Sequence, residues 1–170
     1  GKGLTASLYM AELKGIFQTL ATFDLKPREY IFKINEVIRS CFEPKVFVTL
    51  TYLLINTKDQ SFTYARAGQC PLLFYNQKEE KAHYFKDQGM GLGIIRNENF
   101  KDKINIYKHN YSSGDLIMLF SDGLNEKKKK NGEVFGLEKI RKTLVKAPKS
   151  EARQVNEYIY KKIRKHTVKN

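Results

Sequence analysis

Cysteine, histidine and long apolar runs are all scarce in this chain, and each scarcity removes a class of function. Cys41 and Cys70 are far apart, with no Cys-x-x-Cys spacing and no histidine at zinc-finger distance. The expectation is therefore two reduced, packed thiols rather than a zinc site. His83, His109 and His166 are similarly scattered and read as surface or structural residues. Ser7, Ser112 and Ser121 have no histidine at a recognisable nucleophile elbow, so serine-hydrolase chemistry has no support. No apolar stretch approaches the roughly 20 residues that span a bilayer. No charged-then-apolar leader precedes a cleavage site. The expected chain is soluble and cytoplasmic, with no membrane segment. Acidic residues are also few: 18 Asp plus Glu face 31 Lys plus Arg, a formal charge of +13. That balance invites a nucleic-acid partner, but the distribution argues against one. Lys127 to Lys130 sit before the turn residues Asn131-Gly132, and Lys161, Lys162, Arg164 and Lys165 decorate one helix without interleaved aromatics. Solvated surface is the better reading, and no nucleic acid is expected.

What is present fits one globular domain over residues 1–170, with 41% hydrophobic content and no repetitive tract. Leu4, Leu8, Leu13, Ile16, Phe17 and Leu20 form a helical stripe. Pro27 opens a second helix through Ile31, Ile34, Ile38 and Cys41, which Pro44 ends. From Val46 the period changes to two. A hairpin turns at Asn56 to Asp59 and returns through Ser61 to Ala67; a second joins Leu72 to Tyr75 with Lys81 to Phe85. Ile104 to Tyr107 and Leu116 to Phe120 read as further strands, the latter covered on both faces. Gly136 to Val145 and Ser150 to His166 return to helical spacing, with Ser150 as the expected N-cap. Helices, then antiparallel strands, then helices imply a layered α+β fold rather than a doubly wound parallel sheet.

The most informative stretch is Phe120-Ser121-Asp122-Gly123-Leu124-Asn125-Glu126, entered through Leu116-Ile117-Met118-Leu119. A carboxylate at the exit of an apolar strand needs a cation or several donors, which makes Asp122 a candidate metal ligand. Gly123 would permit a sharp turn directly after it. Asp115 lies seven residues earlier, at the other end of the strand in a Ser-Ser-Gly-Asp turn. By the two-residue period the two carboxylates face opposite ways and cannot share one ion. Gly89-Met90-Gly91-Leu92-Gly93 precedes no helix, so it reads as a flexible loop between strands rather than a dinucleotide site. Lys127 to Gly132 is expected to form a mobile basic loop able to attract an acidic partner. Gly1-Lys2-Gly3 before an amphipathic helix could offer backbone N–H groups to an anion.

These pieces together carry a resemblance. Gly1-Lys2-Gly3-Leu4-Thr5-Ala6-Ser7-Leu8 resembles the "GKGxxAAL" segment of the metal-dependent protein phosphatase superfamily, which is protein phosphatase 2C-like, in its bacterial SpoIIE/RsbU branch. Phe47-Val48-Thr49-Leu50-Thr51-Tyr52 is similar to that branch's "FVTLLYG", and Phe62 to Pro71 to its "LTYANAGHPP". Gly91-Leu92-Gly93 is similar to "LPLG". Ser113 to Glu126, with Gly132-Glu133-Val134-Phe135-Gly136 after it, is similar to "GDxLLLYTDGVTEA…GExFG". The order is collinear from residue 1 to about residue 140.

The resemblance implies an αββα sandwich of two antiparallel sheets flanked by helices, with two Mg²⁺ or Mn²⁺ ions in the intact domain. Hard cations of this kind take oxygen ligands, and water on a metal pair is acidified enough to attack phosphorus. The implied activity is hydrolysis of phosphoserine or phosphothreonine on a regulatory protein, by resemblance an anti-sigma-factor antagonist, with no catalytic group beyond metal-bound water. Asp122 matches the metal-binding Asp of "TDG"; Gly1, Gly3, Gly68, Gln69, Gly123 and Glu126 would shape the site. Gln69 stands where the family has the His of "AGH". Two acidic ligand segments of the family, before "GKG" and after the final helix, have no counterpart between Gly1 and Asn170. The chain as given, which looks truncated at both ends, is accordingly expected to be a poor enzyme. A degenerate phosphatase fold acting as a binding or sensing module is the alternative, and a homodimer is left open.

Overall fold

The computed structural model describes residues 3–85, 89–95 and 98–168. Two helices lead, α1 (Leu4–Leu20) and α2 (Pro27–Cys41), followed by strands β1 (Leu50–Asn56), β2 (Ser61–Ala67), β3 (Leu72–Asn76) and β4 (Lys81–Phe85). A 3-10 turn at Glu98–Lys103 precedes β5 (Tyr107–Asn110) and β6 (Leu116–Met118). The chain then closes with the short α3 (Asp122–Asn125), α4 (Gly136–Lys146) and α5 (Ala152–Val168). Two antiparallel three-stranded sheets result, in strand orders β1-β2-β5 and β4-β3-β6, so the expected α+β class is the observed one. Each sheet belongs to its own unit. One unit comprises Gly1–Gln69 and Asp87–Asn110, the other Cys70–Lys86 and Tyr111–Asn170.

In the first unit α2 presents Ile31, Ile34, Asn35 and Ile38 as its buried stripe. Spacings of three and four residues keep one helix face together, and that face meets Ala65 and Ala67 of β2, with Leu13 of α1 in the same core. The stripe leaves the helix through Phe42 rather than Cys41, which is exposed, so Cys41 is not the packed thiol expected. Leu4 and Leu8 are also exposed, at 79% and 58%. α1 joins the core only from Tyr9 onward, where Tyr9 lies 4.5 Å from the Phe42 ring and Phe17 O accepts the Tyr30 hydroxyl at 3.1 Å.

Both hairpins are started by asparagine, whose amide oxygen can stand in for a turn carbonyl. Asn56 Oδ1 accepts from Lys58 N and Asp59 N at 3.0 and 3.1 Å, and Asn76 Oδ1 accepts from Glu79 N at 2.8 Å. The registers Asn56↔Ser61 and Asn76↔Lys81 follow from these turns. Val46 and Val48 lie outside β1; Val48 makes only an isolated antiparallel bridge with Leu92. β5 starts at Tyr107, three residues later than expected, because Ile104 is buried in the core and the 3-10 turn ends just before it.

The second unit is built on β3, whose Leu72, Leu73, Phe74 and Tyr75 are all buried. Ile140 and Leu144 of α4, with Val155, Ile159 and Ile163 of α5, cover Leu73 and Tyr75. Tyr84 donates to Leu137 O at 2.8 Å, and burial pushes its phenol well above the usual range. Lys149 caps α4 by donating to Leu144 O and Val145 O at 2.8 and 2.9 Å, and to Ala147 O. A cation at a helix C-terminus answers its unpaired carbonyls. Ser150 does not cap α5: its hydroxyl donates to Gln154 Oε1 at 2.7 Å, and the helix starts two residues later. β6 is an edge strand of this sheet rather than a strand covered on both faces. Its three residues are only part-buried and Leu119 is 47% exposed.

Candidate functional site

β6 delivers the chain to Ser121, which takes an extended conformation at φ −90° and ψ 166° and starts α3 at Asp122. Leu124 N donates to Ser121 O at 3.1 Å, and Glu126 N donates to Asp122 O at 2.9 Å. The Asp122 carboxylate is exposed and has no hydrogen bond or ion pair among the described residues. Asp115, at the other end of β6, is the opposite case. Its Oδ1 accepts from Gln77 N and its Oδ2 from Ser112 N, both at 2.8 Å, so its charge is committed to holding the 112–115 turn onto the β3–β4 hairpin. Of the two carboxylates that frame the strand, Asp122 is the one available to a ligand.

Glu126 follows Asp122 by one helical turn and is also exposed. Gly123, between them, departs from expectation. It has no positive φ, and a Cβ there would meet only Ser121 Oγ, at 3.7 Å. The helical turn of α3, not a glycine-dependent kink, redirects the chain after Asp122. Beside it, Cys70 Sγ lies 3.9 Å from Asn125 Oδ1.

The loop after α3 is ordered by hydrogen bonds, contrary to the mobile loop expected. Lys128 and Val134 form an antiparallel bridge, Lys129 N donates to Glu133 O at 2.9 Å, and Phe135 N donates to Lys127 O at 2.8 Å. Lys129 Nζ also bonds Glu133 Oε2 at 2.7 Å, and Lys139 Nζ bonds the other oxygen. These two ammonium groups hold the Glu133 carboxyl down at about 2. His166 meets Glu133 O at 3.1 Å and stands edge-on to Phe135, a structural role as expected.

The remaining sequence candidates lie in the first unit. Gly1 lies outside the described residues. Gly3 is the N-cap of α1, its carbonyl accepting from Ser7 N and Ser7 Oγ at 3.2 Å. Gly68 has φ 73°, and a Cβ on it would stand 3.1 Å from Gly91 backbone. Only glycine combines that conformation with that approach at low cost. Gln69 O accepts from Arg66 Nη1 at 2.9 Å.

The segment 89–93 is not the flexible loop expected. Gly68 N donates to Gly89 O at 3.1 Å, Leu92 exchanges both backbone bonds with Val48, and Gly93 N donates to Asn35 Oδ1 at 2.7 Å. A Cβ on Gly89 would lie 1.7 Å from Arg66 O, which no side chain survives without displacing backbone. Around these glycines is a pocket of about 770 Å³ lined by Thr49, Arg66, Gly68, Gly91 and Lys103 among others. Sequence reasoning gave Arg66 and Lys103 no role. An arginine between the buried Ala65 and Ala67 was the available signal for the first.

Whether these residues fit a metal pair can be tested on the donor set. Asp122 offers one unpaired carboxylate and Glu126 a second nearby, but no group of three or more His, Cys, Asp or Glu side chains converges among the described residues. A two-ion centre of hard cations needs more oxygen ligands than that, so the described residues do not by themselves make one.

A family model described as Stage II sporulation protein E (SpoIIE) matches residues 1–170. Phosphoserine phosphatase RsbU of Bacillus subtilis is 31% identical over 132 residues, covering 78% of this chain and 38% of that protein. The solved structure of the PP2C phosphatase domain with a fragment of the regulatory domain of SpoIIE from Bacillus subtilis gives a TM-score of 0.81 at 17% identity. It covers 99% of this chain and 48% of that one. The crystal structure of RsbX in complex with magnesium gives 0.66 at 20% identity, over 99% of this chain and 70% of the other. The chain therefore spans under half the length of the RsbU and SpoIIE chains it resembles. At these identities the structural likeness establishes the fold, that of PP2C-type domains.

Proposed function

This chain belongs to the SpoIIE family, and from that premise we propose that it is part of a metal-dependent protein phosphatase acting on phosphoserine or phosphothreonine of a regulatory protein. The observation that carries the reading is Asp122: a carboxylate placed by β6 at the start of α3, exposed and without a partner among the described residues, in a Ser-Asp-Gly stretch that resembles the family's "TDG". The fully committed Asp115 supports it by contrast. The naming of RsbU as a phosphoserine phosphatase supports the substrate class, and the magnesium complex of RsbX supports a Mg²⁺- or Mn²⁺-dependent reaction. In this proposal Asp122 contributes one carboxylate to the metal pair, Glu126 lies one turn away, and Gly123 stands between them. A single domain over residues 1–170 is part of the same reading, supported by one family model spanning all of it. So are an anti-sigma-factor antagonist as substrate and a cytoplasmic location; no helix of the described residues is long and apolar enough to cross a membrane.

The test is Asp122→Asn in the active protein. A metal contributes several kcal/mol to such a transition state, and each 1.4 kcal/mol or so is tenfold in rate. Mn²⁺-dependent phosphate release should therefore fall by on the order of a hundredfold or more, while the thermal midpoint stays within about a degree because the side chain holds nothing else. Near-normal turnover at saturating Mn²⁺ refutes the assignment. A second reading, a degenerate fold that binds without turnover, is favoured by Gln69 in place of the family's histidine. Phosphopeptide binding without any metal-dependent release of phosphate is its signature.

A further inference from the structure

The outward face of α5 carries a chemistry that the core does not use. Val155, Ile159 and Ile163 turn inward, so the apolar stripe of the helix is buried within the second unit. On the other side, spacings of three and four residues bring Glu157, Tyr160, Lys161, Arg164 and Lys165 together, and these five line an open hollow of about 490 Å³. The one carboxylate of that lining is already engaged, since Arg153 Nε bonds Glu157 Oε1 at 3.0 Å. Lys161, Arg164 and Lys165 are exposed and have no hydrogen bond or ion pair among the described residues. The cations of α4, in the same unit, are the contrast: Lys139 pairs with Glu133, and Arg141 and Lys142 pair with Glu138.

The two tyrosines of α5 differ in the same way. Tyr158 is half-buried, with the Lys162 ammonium 5.0 Å from its ring centroid. Tyr160 is 59% exposed and has no hydrogen bond or ring contact among the described residues. It precedes the basic run in sequence, but the helix sets it one turn from Arg164 on the same face. Tyrosine and arginine are the side chains that protein interfaces favour: the ring gives contact area, and the guanidinium grips a carboxylate with two N–H groups.

We infer that this face of α5 docks an acidic segment of a partner protein, with carboxylates on Lys161, Arg164 and Lys165 and an apolar side chain on the Tyr160 ring. Charge complementarity selects the occupant. A lipid surface does not fit, because a helix lying in an interface needs a free apolar face and that of α5 is buried. Single-stranded nucleic acid stacks successive bases on several rings, and Tyr160 is the one aromatic in this lining. The inference stands apart from the phosphatase reading, whose candidate residues are not used.

Fluorescence anisotropy on the full chain with a labelled Glu-Glu-Leu-Glu-Glu peptide tests this, in about 0.15 M salt, where charges more than about 8 Å apart are largely screened. The combined variant Lys161→Gln, Arg164→Gln and Lys165→Gln should weaken binding about tenfold. Lys127→Ser, Lys128→Ser and Lys130→Ser together remove the same charge from the same unit and should change it less than about twofold. Tyr160→Ser should weaken the leucine peptide about threefold and leave a Glu-Glu-Ser-Glu-Glu twin unchanged. All of the α5 positions are exposed, and glutamine is a good helix former, so the fold tolerates these changes. Equal losses from the two triple variants would mean attraction to net charge alone and would overturn the proposal, as would no binding of the peptide by the wild type. Tighter binding of an oligouridine of equal charge, or of phosphatidylserine vesicles, that the α5 variant abolishes would overturn the choice of occupant. An equal effect of Tyr160→Ser on both peptides would remove the ring from the interface.

Discussion

Asn35 shows how much one polar side chain can organise. It sits at 0% exposure among isoleucines, where an unpaired amide would be costly, and both ends of it are engaged by the 93–95 backbone. Asn35→Leu would keep the helix face apolar and strip partners from one buried backbone N–H, that of Gly93, and one part-buried carbonyl, that of Ile95. The loss should be about 1 to 3 kcal/mol in urea unfolding, the cost of leaving a buried group unsatisfied. A change under half a kcal/mol would mean that the segment rearranges to find water. This residue was not legible in the sequence: period alone marks position 35 as facing the core, but nothing local says that the acceptor it meets is some sixty residues away. The position of Asp122 at the exit of β6 was legible because its signal is local, an apolar run ending in Ser-Asp-Gly. Gly123, equally visible, was assigned a turn that the backbone does not make, because a glycine permits positive φ without requiring it.

Elements whose cause is local were read correctly, and those fixed by distant pairing were not. Pro27 and the asparagine turns at 56 and 76 place α2 and both hairpins within a residue or two. β5 was misplaced because its extent is set by pairing with β2, Ser61↔Asn110 through Tyr64↔Tyr107, and Ile104 looks strand-like only until the core claims it. The 127–134 segment differs from expectation for a related reason: four lysines before Asn-Gly read as a mobile basic loop, while Glu133 pairs with Lys129 and Lys139 through its two oxygens. Its pH dependence follows. The Glu133 carboxyl is held at about 2 from an ordinary 4.5, so its contribution to stability is complete above about 4.5 and is lost as pH falls from there through about 2. Glu133→Gln should melt below the wild type at pH 7, and the gap should close as the pH approaches 2. A gap of constant size over that range would refute the pairing.

At the scale of the whole molecule a formal charge of +13 acts on encounter rather than on fold. Lys127, Lys128 and Lys130 are the exposed lysines of the hairpin, Lys129 being engaged by Glu133. Replacing those three with serine, and leaving Lys129, should lower kcat/KM for a phosphoprotein about tenfold at low ionic strength and spare a small aryl phosphate. The difference should shrink toward 0.15 M salt, where the screening length is about 8 Å. Equal losses on both substrates would place the lysines in the chemistry instead. The two units also carry a consequence for the order in which the protein is made. Neither is a continuous stretch: the chain leaves the first after Gln69, returns to it at Asp87, and leaves again after Asn110. A ribosome therefore releases β3 and β4 before the first unit can finish and well before β6, α4 and α5 exist. A lone two-stranded hairpin is marginal in water, and this one carries Leu72, Leu73, Phe74 and Tyr75, all of which end up buried. During synthesis the most apolar strand of the molecule waits longest for its cover, so a nascent chain stalled between residues 86 and 136 is the species most in need of a chaperone.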